Sequence, residues 1–369
     1  MSESNRLLEK PIIHMPDLGE GDWLNTPRPL TSRSLRGQIV LFDFWDYSCV
    51  NCVRTLPYLK AWHRRYHDKG LTIIGVHAPE FRFGRSQGEV AAAVAEFGLP
   101  YPILLDNYYE TWDRFANKAW PTKYLVDDVG YIRLQRQGEG HYQEIERAIQ
   151  LLLRQRDPDV SLPDLLPPLR PEDAPGAVCY RTTPELYAGY RGGGLYGGAL
   201  GNPEGYVAHS PMHYTMPPPA DREAGRFFLE GFWQAEPEAL VFAGREEGRV
   251  LLRYRAAGVN AVLSPSSDPV EVMLGLHTTD DEPLVEVLQD GRPLSADHVG
   301  DDVSFDDDGR SVIRVTRPRM YRLVHNPNFG LHRLDLIFRA SGLALYAFTF
   351  DSCVAPSEDE APGVTYRVG

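Results

Sequence analysis

The sequence predicts an α/β domain, a central mixed sheet flanked by helices, followed by an all-β sandwich. Three observations carry this reading. Early in the chain an apolar, β-prone run, Ile39-Val40-Leu41-Phe42, leads through Asp43-Phe44-Trp45 to Cys49-Val50-Asn51-Cys52; beyond it Val53, Leu56, Leu59, Trp62 and Tyr66 recur at steps of three and four, the period of a half-buried helix. Midway, residues 157–175 are rich in Pro and Asp without any period, the composition of a semi-rigid linker. From Gly225 onward, short apolar runs alternate with turn signals such as Asp290-Gly291 and Asp308-Gly309, as in a sandwich. The expected organisation is residues 1–156 as the α/β domain, 157–175 as linker, and 176–369 as a loop-rich segment plus the sandwich.

Each element has its own signal. Pro11 to Leu30 reads as an irregular lead-in, with Gly19, Gly21 and several prolines. The strand Gln38–Trp45 hands over to a helix that Gly70 ends, with Pro57 inside it and expected to kink it. Leu71 to Val76 lacks alternation, as expected of a strand covered on both faces. It delivers His77, Pro79 and Glu80 to the sheet edge where sites gather in open α/β sheets, although an ordinary loop explains them too. Glu89–Phe97 is amphipathic and closed by Gly98; Pro102–Leu105 is a short strand and Tyr109–Ala116 a short helix. Lys123–Val126 and Tyr131–Arg136 form a hairpin around Asp127-Asp128-Val129-Gly130, and the helix Tyr142–Arg154 closes the domain.

Downstream, Tyr180 to Pro219 is expected to wrap a surface as ordered loop. Its tyrosines (Tyr187, Tyr190, Tyr196, Tyr206, Tyr214) suit packing better than stacking on sugars or peptide. The strands expected after it are Phe227–Phe232, Val250–Tyr254, Val259–Leu263, Val270–Leu276, Leu284–Leu288, Ser311–Val315, Tyr321–Val324, His332–Phe338 and Leu343–Phe350. The acidic run from Asp301 to Asp308 lacks the ordered spacing of an EF-hand calcium loop and reads as a solvated turn.

The chemistry concentrates at the two close cysteines. Cys49 falls at a helix N-terminus, where free N–H groups and the helix dipole favour a thiolate. Only the thiolate attacks disulfides, so Cys49 reads as nucleophile and Cys52 as resolving thiol. Structural zinc would want a second close ligand pair, whereas Cys179 and Cys353 are isolated and the His63/His67 pair lies three to four turns further along. Asp43 sits within the apolar strand, on the face opposite Phe42 and Phe44. It reads as a buried acid of raised pKa that exchanges a proton with Cys52, the rival reading being an exposed acid at the strand end. Trp120-Pro121-Thr122 precedes a strand: either a simple turn, or a cis-proline that packs on the sulfurs and presents backbone to an extended substrate. Trp45 is placed beside the site, and Trp120 and Pro121 are the expected substrate-binding residues.

The totals exclude other classes. A chain of 369 residues suits two domains with sound cores, and a formal charge of −13 disfavours nucleic acid and anionic lipid. No apolar run reaches the roughly 20 residues of a membrane helix, and Met1 to Pro11 shows no secretory apolar segment. The expectation is a cytoplasmic protein with no membrane partner. Cys179 and Cys353 flank the sandwich and a bridge between them is conceivable, but two free thiols are the default in a reducing compartment.

Asp43-Phe44-Trp45, the C-x-x-C at a helix start, and Pro121 before a hairpin together resemble the thioredoxin fold. The long segment between them, with an added helix and strand, is similar to the TlpA/ResA-like branch. Tyr47-Ser48-Cys49-Val50-Asn51-Cys52, Arg54-Thr55-Leu56-Pro57-Tyr58-Leu59 and Gly75-Val76-His77-Ala78-Pro79-Glu80-Phe81 resemble the soluble C-terminal region of DipZ-type proteins. So do Thr183-Pro184-Glu185-Leu186-Tyr187 and Leu345-Tyr346-Ala347-Phe348-Thr349-Phe350. The resemblance implies a sandwich like the jelly-roll carbohydrate-binding modules, with a glycan or protein ligand as its candidate partner. It also implies membrane helices ahead of the soluble part, from which this sequence departs.

The resulting expectation is a thiol–disulfide oxidoreductase without cofactor or metal, acting on a protein or small-molecule disulfide and recharged by an external thiol donor. A thiol peroxidase wants a hydroxyl residue, usually Thr, three positions before its cysteine, and here Asp46 stands there. A binding module with an incidental redox domain is the remaining alternative.

Overall fold

In the computed structural model the described residues are 7–195, 199–208, 210–268, 270–271 and 282–355. They fall into two units, residues 1–169 and 170–369.

The first unit is built on a sheet of order β1-β4-β3-β2-β5-β6. Its strands are β1 (Asp22–Leu24), β2 (Ile39–Trp45), β3 (Leu71–His77), β4 (Ile103–Leu105), β5 (Thr122–Val126) and β6 (Ile132–Gln137). Strands β2, β3 and β4 run parallel, while β5 lies antiparallel to β2, β6 to β5, and β1 to β4. The sheet is therefore mixed, as the patterning requires. The helices are α1 (Val50–Tyr66), α2 (Gln87–Phe97), α3 (Glu110–Arg114) and α4 (Tyr142–Arg156).

All seven residues of β2 are buried. Val40, Phe42 and Phe44 enter a cluster with Ile74, Val76, Leu104, Trp112, Phe115 and Tyr124, so alternation turns Leu41, Asp43 and Trp45 to the other face. A 3-10 turn, His67–Lys69, and Gly70 at φ 105° end α1. Ser86 caps α2 through Glu89 N, and Gly98 closes it in the left-handed region. Positive φ costs glycine little, which is why it stands at both stops.

Two features of this unit differ from expectation. Within the supposedly irregular lead-in, Asp22–Leu24 pairs with Leu105–Ile103; three residues are too few to show a period. The expected semi-rigid linker contains the boundary between the units, at 169/170, but its first part is hydrogen-bonded to the first unit. Leu166 N donates to Glu146 Oε2 at 2.8 Å, Gln150 Nε2 to Pro163 O at 2.8 Å, and Leu169 N to Tyr58 Oη at 2.8 Å. Proline makes such a segment extended, and extended backbone offers its remaining N–H and C=O groups to whatever polar side chains it passes.

The second unit is rich in strands, and one sheet dominates it. Strands β7 (Val178–Cys179) and β19 (Cys353–Val354) form a separate two-stranded pair, Cys179 opposite Cys353. The main sheet holds β8 (Leu186–Tyr187), β9 (Pro211–Tyr214), β10 (Phe227–Ala235), β11 (Leu240–Phe242), β12 (Gly248–Ser264), β13 (Leu284–Gln289), β14 (Arg292–Pro293), β15 (Ser304–Phe305), β16 (Ser311–Arg314), β17 (Arg319–Phe338) and β18 (Ala344–Asp351).

Strand β12 pairs with β10 through its first part and with β18 through its last, and β11 joins β10 to β18. The sheet thus closes on itself as a small barrel or sandwich around Phe227, Trp233, Phe242, Tyr254, Phe338 and Phe348. The expected pairs of short strands at 250–263 and 321–338 are single long ones, β12 carrying register shifts where Ala256 and Gly258 meet β17. A bulge bends a strand without ending it, so a dip in the apolar pattern need not mark a turn. Tyr214 lies in this core, with Tyr190 and Tyr206 packed on it. Tyr196 and most of the expected strand Val270–Leu276 lie outside the described residues.

The expectation of free thiols at Cys179 and Cys353 is corrected: the two are joined by a disulfide. Facing positions of an antiparallel pair bring Cβ atoms within bridging reach, a proximity that two cysteines 174 residues apart do not reveal in sequence.

Candidate redox site

The site forms where β2 ends. Cys49 is the N-cap of α1, and its Sγ accepts the Cys52 backbone N–H at 3.3 Å. Neither cysteine is in a disulfide, and both are buried, but unequally: Cys49 retains 9 % of its surface and Cys52 none. Cys49 is thus the less buried of the two, and it sits where helix N–H groups favour an anion. Burial, with the hydrogen bond and charge of Cys49, pushes the Cys52 thiol well above its ordinary value; the charge of Asp43 adds to this and the Asp46 backbone opposes it.

Asp43 is fully buried on the face of β2 turned from the aromatic cluster, but it is not a lone acid. Lys123, its cross-strand partner on β5, places Nζ 3.0 Å from Asp43 Oδ1, and that lysine is only 2 % exposed. Burial still holds the Asp43 carboxyl above its ordinary value, opposed by the charge and hydrogen bond of Lys123. Sequence reasoning missed Lys123. The signal was available: a lysine inside an apolar strand, next to the strand that carries the buried acid, calls for a partner.

The Trp120–Pro121 peptide is cis. Pro121 is buried, its carbonyl accepts Gly138 N at 2.7 Å, and the Trp120 indole donates to Ala78 O at 3.0 Å while packing against Trp112. Trp45 is 1 % exposed and meets the His77 ring edge-on at 5.4 Å. A Cβ on Gly75 would come within 3.0 Å of the Trp45 indole nitrogen, so the absence of a side chain there leaves room for the indole.

Asp46, three positions before Cys49, is fully buried and densely bonded. Its Oδ1 accepts Ser48 N at 2.6 Å and Ser48 Oγ at 2.5 Å, and its Oδ2 accepts Glu80 N at 3.1 Å. His77 Nε2, also fully buried, lies 3.4 Å from the same Oδ2. On the rim, Arg54 Nη1 bonds Asn51 Oδ1 at 3.3 Å and Glu139 at 3.1 Å. The described residues gather no group of three or more metal-ligating side chains and include no helix long and apolar enough to cross a membrane.

Residues 16–135 match the AhpC/TSA family, and residues 183–351 match the family described as Thioredoxin like C-terminal domain. Protein DipZ of Mycobacterium bovis is 39% identical over 251 residues, which cover 67% of this chain and 34% of that protein. Thiol-disulfide oxidoreductase YkuV of Bacillus subtilis is 28% identical over 39% of this chain and 96% of its own. Among solved structures, the solution structure of a thioredoxin-like protein in the oxidized form aligns with 38% of this chain and 95% of that one, at 28% identity and a TM-score of 0.36. The chain spans about a third of the length of its DipZ relatives.

Proposed function

We propose, starting from residues 16–135 as a thioredoxin-like AhpC/TSA domain in a chain similar to DipZ and to named thiol-disulfide oxidoreductases, that it exchanges disulfides through Cys49 and Cys52. The observation that carries this is the unequal pair at the start of α1: a capping cysteine that keeps a little exposed surface, and a fully sealed, hard-to-ionise partner three residues on.

The Cys49 thiolate attacks one sulfur of a substrate disulfide. That bond breaks, the leaving thiolate takes a proton, and a mixed disulfide with Cys49 forms. Cys52 then gives its proton towards Asp43, and its thiolate attacks Cys49 Sγ and expels the second substrate thiol. The substrate gains two electrons, the chain keeps them missing as a Cys49–Cys52 disulfide, and an external thiol donor restores it. Lys123 keeps the Asp43 carboxylate tolerable in the interior while burial keeps it basic enough to receive the proton. Trp120 and Pro121 are the proposed seat of the substrate backbone.

For the second unit, a glycan or protein ligand is a separate proposal, to be tested by binding that survives Cys49→Ser. As to compartment, the Cys179–Cys353 bridge favours an oxidising one over the cytoplasm inferred from composition.

The test is equilibration in dithiothreitol and glutathione buffers, with mass mapping of alkylated peptides. A reversible two-electron couple at Cys49–Cys52 is expected, lost in Cys49→Ser and in Cys52→Ser. A potential near about −270 mV marks a reductase, and one above about −180 mV an oxidant or isomerase. Finding no such couple would overturn the reading.

A further inference from the structure

The proposed exchange uses Cys49, Cys52, Asp43 and Lys123, and leaves one buried acid–base pair beside the cysteine turn unused. Asp46 and His77 are both fully buried. They come from the two strands that deliver the site: Trp45 and His77 are register partners at the ends of β2 and β3, and Asp46 follows directly. From this geometry we infer that Asp46 and His77 are positioning residues for Cys49, the carboxylate holding the turn that presents the sulfur and the imidazole holding the carboxylate.

The carboxylate works on both sides of the turn. Through Oδ1 it binds the backbone N–H and hydroxyl of Ser48, the residue before the nucleophile. Its own backbone carbonyl accepts Cys49 N at 3.3 Å. Through Oδ2 it reaches across to Glu80 N, tying the turn to the loop after β3. Gly84 brings that loop close, since a Cβ there would stand 3.3 Å from Asp46 Oδ2 and 2.9 Å from Pro79. One side chain thereby fixes the approach to α1 against a neighbouring loop.

His77 completes the arrangement. Its Nε2 faces the same Oδ2 at 3.4 Å, and its ring is stacked on Tyr47 and met edge-on by Trp45. Its carbonyl accepts Asp106 N at 2.8 Å, so the residue is also held by backbone. The ring lies against the oxygen that Glu80 N bonds, and burial lowers its pKa, so the imidazole braces the carboxylate as a neutral ring packed between Tyr47 and Trp45. What the pair positions is the contact from Cys52 N to Cys49 Sγ, a hydrogen bond that favours the thiolate and hence the dithiol form.

This inference rests on the disulfide-exchange reading, and the two fail differently. Cys49 alkylation by iodoacetamide at fixed pH and the Cys49–Cys52 equilibrium with glutathione are measured in wild type, Asp46→Ala, Asp46→Asn and His77→Ala. A wild type without a reversible couple sinks the exchange reading itself. With a normal wild type, Asp46→Ala is expected to slow alkylation about tenfold, the scale of one buried charged hydrogen bond lost, and His77→Ala, which removes only the ring braced against that carboxylate, to slow it by about threefold. Both should also move the equilibrium towards the disulfide, and Asp46→Asn, which keeps an acceptor for Ser48, should recover part of the loss. Folded variants that stay within about twofold of wild type in both readings would overturn the positioning role. Should the alanine variants not fold, the His77 imidazole NMR signals of the wild type decide between dithiol and disulfide forms: a shift is expected, and identical signals overturn the inference.

Discussion

At the scale of single residues the site turns on Asp43 and Lys123, buried and 3.0 Å apart across β2 and β5. Asp43 was legible because an acid among Ile39, Val40, Leu41 and Phe42 stands out. Lys123 stood out as a lysine in an apolar strand, but its partner did not, because the strand pairing that sets it opposite Asp43 joins segments eighty residues apart. Removing one partner leaves a sealed charge, so Lys123→Met should cost about 3–5 kcal/mol in denaturant unfolding. The double variant Asp43→Leu, Lys123→Met should regain most of that stability yet accumulate mixed disulfide, because Cys52 loses its proton acceptor. Resolution at the wild-type rate in the double variant would remove Asp43 from the mechanism. The pH dependence has a definite sign. Burial holds the Asp43 carboxyl above its ordinary value against the pull of Lys123, so the folded chain binds that proton more tightly than the unfolded chain. Its contribution to stability is complete below the unfolded carboxyl value, about 4, and is lost as pH rises through the folded one. Asp43→Asn should flatten that part of the stability–pH curve.

At the scale of elements, what could be read was what repeats locally. Strand β2, the cysteine turn and α1 announced themselves through an apolar run and a helical period, and Gly70 and Gly98 marked the stops where the backbone takes positive φ. Strand β1, with three residues, and the long bulged β12 were not legible, since a period needs length and a bulge interrupts it. The docking of the segment after α4 was not legible for a different reason. Composition reports that a Pro-rich stretch is extended, not whether polar side chains wait along its path. Here Glu146, 1 % exposed, accepts both Tyr66 Oη at 2.6 Å and Leu166 N, and Arg65 lies 3.5 Å away. Glu146→Ala would leave these donors without their acceptor and should destabilise the first unit by about 1–3 kcal/mol. Faster amide exchange at Leu166 with little change in β2 would locate the loss at the docked segment; unchanged exchange there would show that the segment is held by something else.

At the scale of the molecule, the feature no local pattern reveals is the Cys179–Cys353 bridge. It lies between two strands of two residues each, β7 and β19, which belong to neither main sheet. So short a pair has few backbone hydrogen bonds of its own, Tyr180 N to Ser352 O at 2.9 Å beside it, and the covalent link reinforces it. The bridge ties the beginning of the second unit to the end of its last strand. It thereby closes a span of 174 residues, and in the chain-entropy account a loop of that size stabilises by about 5 kcal/mol. Cys179→Ser should therefore lower the unfolding free energy of the second unit by up to that amount. In a Cys49→Ser, Cys52→Ser background, dithiothreitol should reproduce the loss without touching the first unit. Cys179 is exposed and Cys353 partly so, which makes the bridge open to exchange in the folded state. Thiol counting on protein isolated without reductant checks the premise directly: two free thiols in the wild type and none in the double serine variant are expected. Two thiols remaining in that variant would mean the pair is not bridged, and the argument from compartment would fall with it.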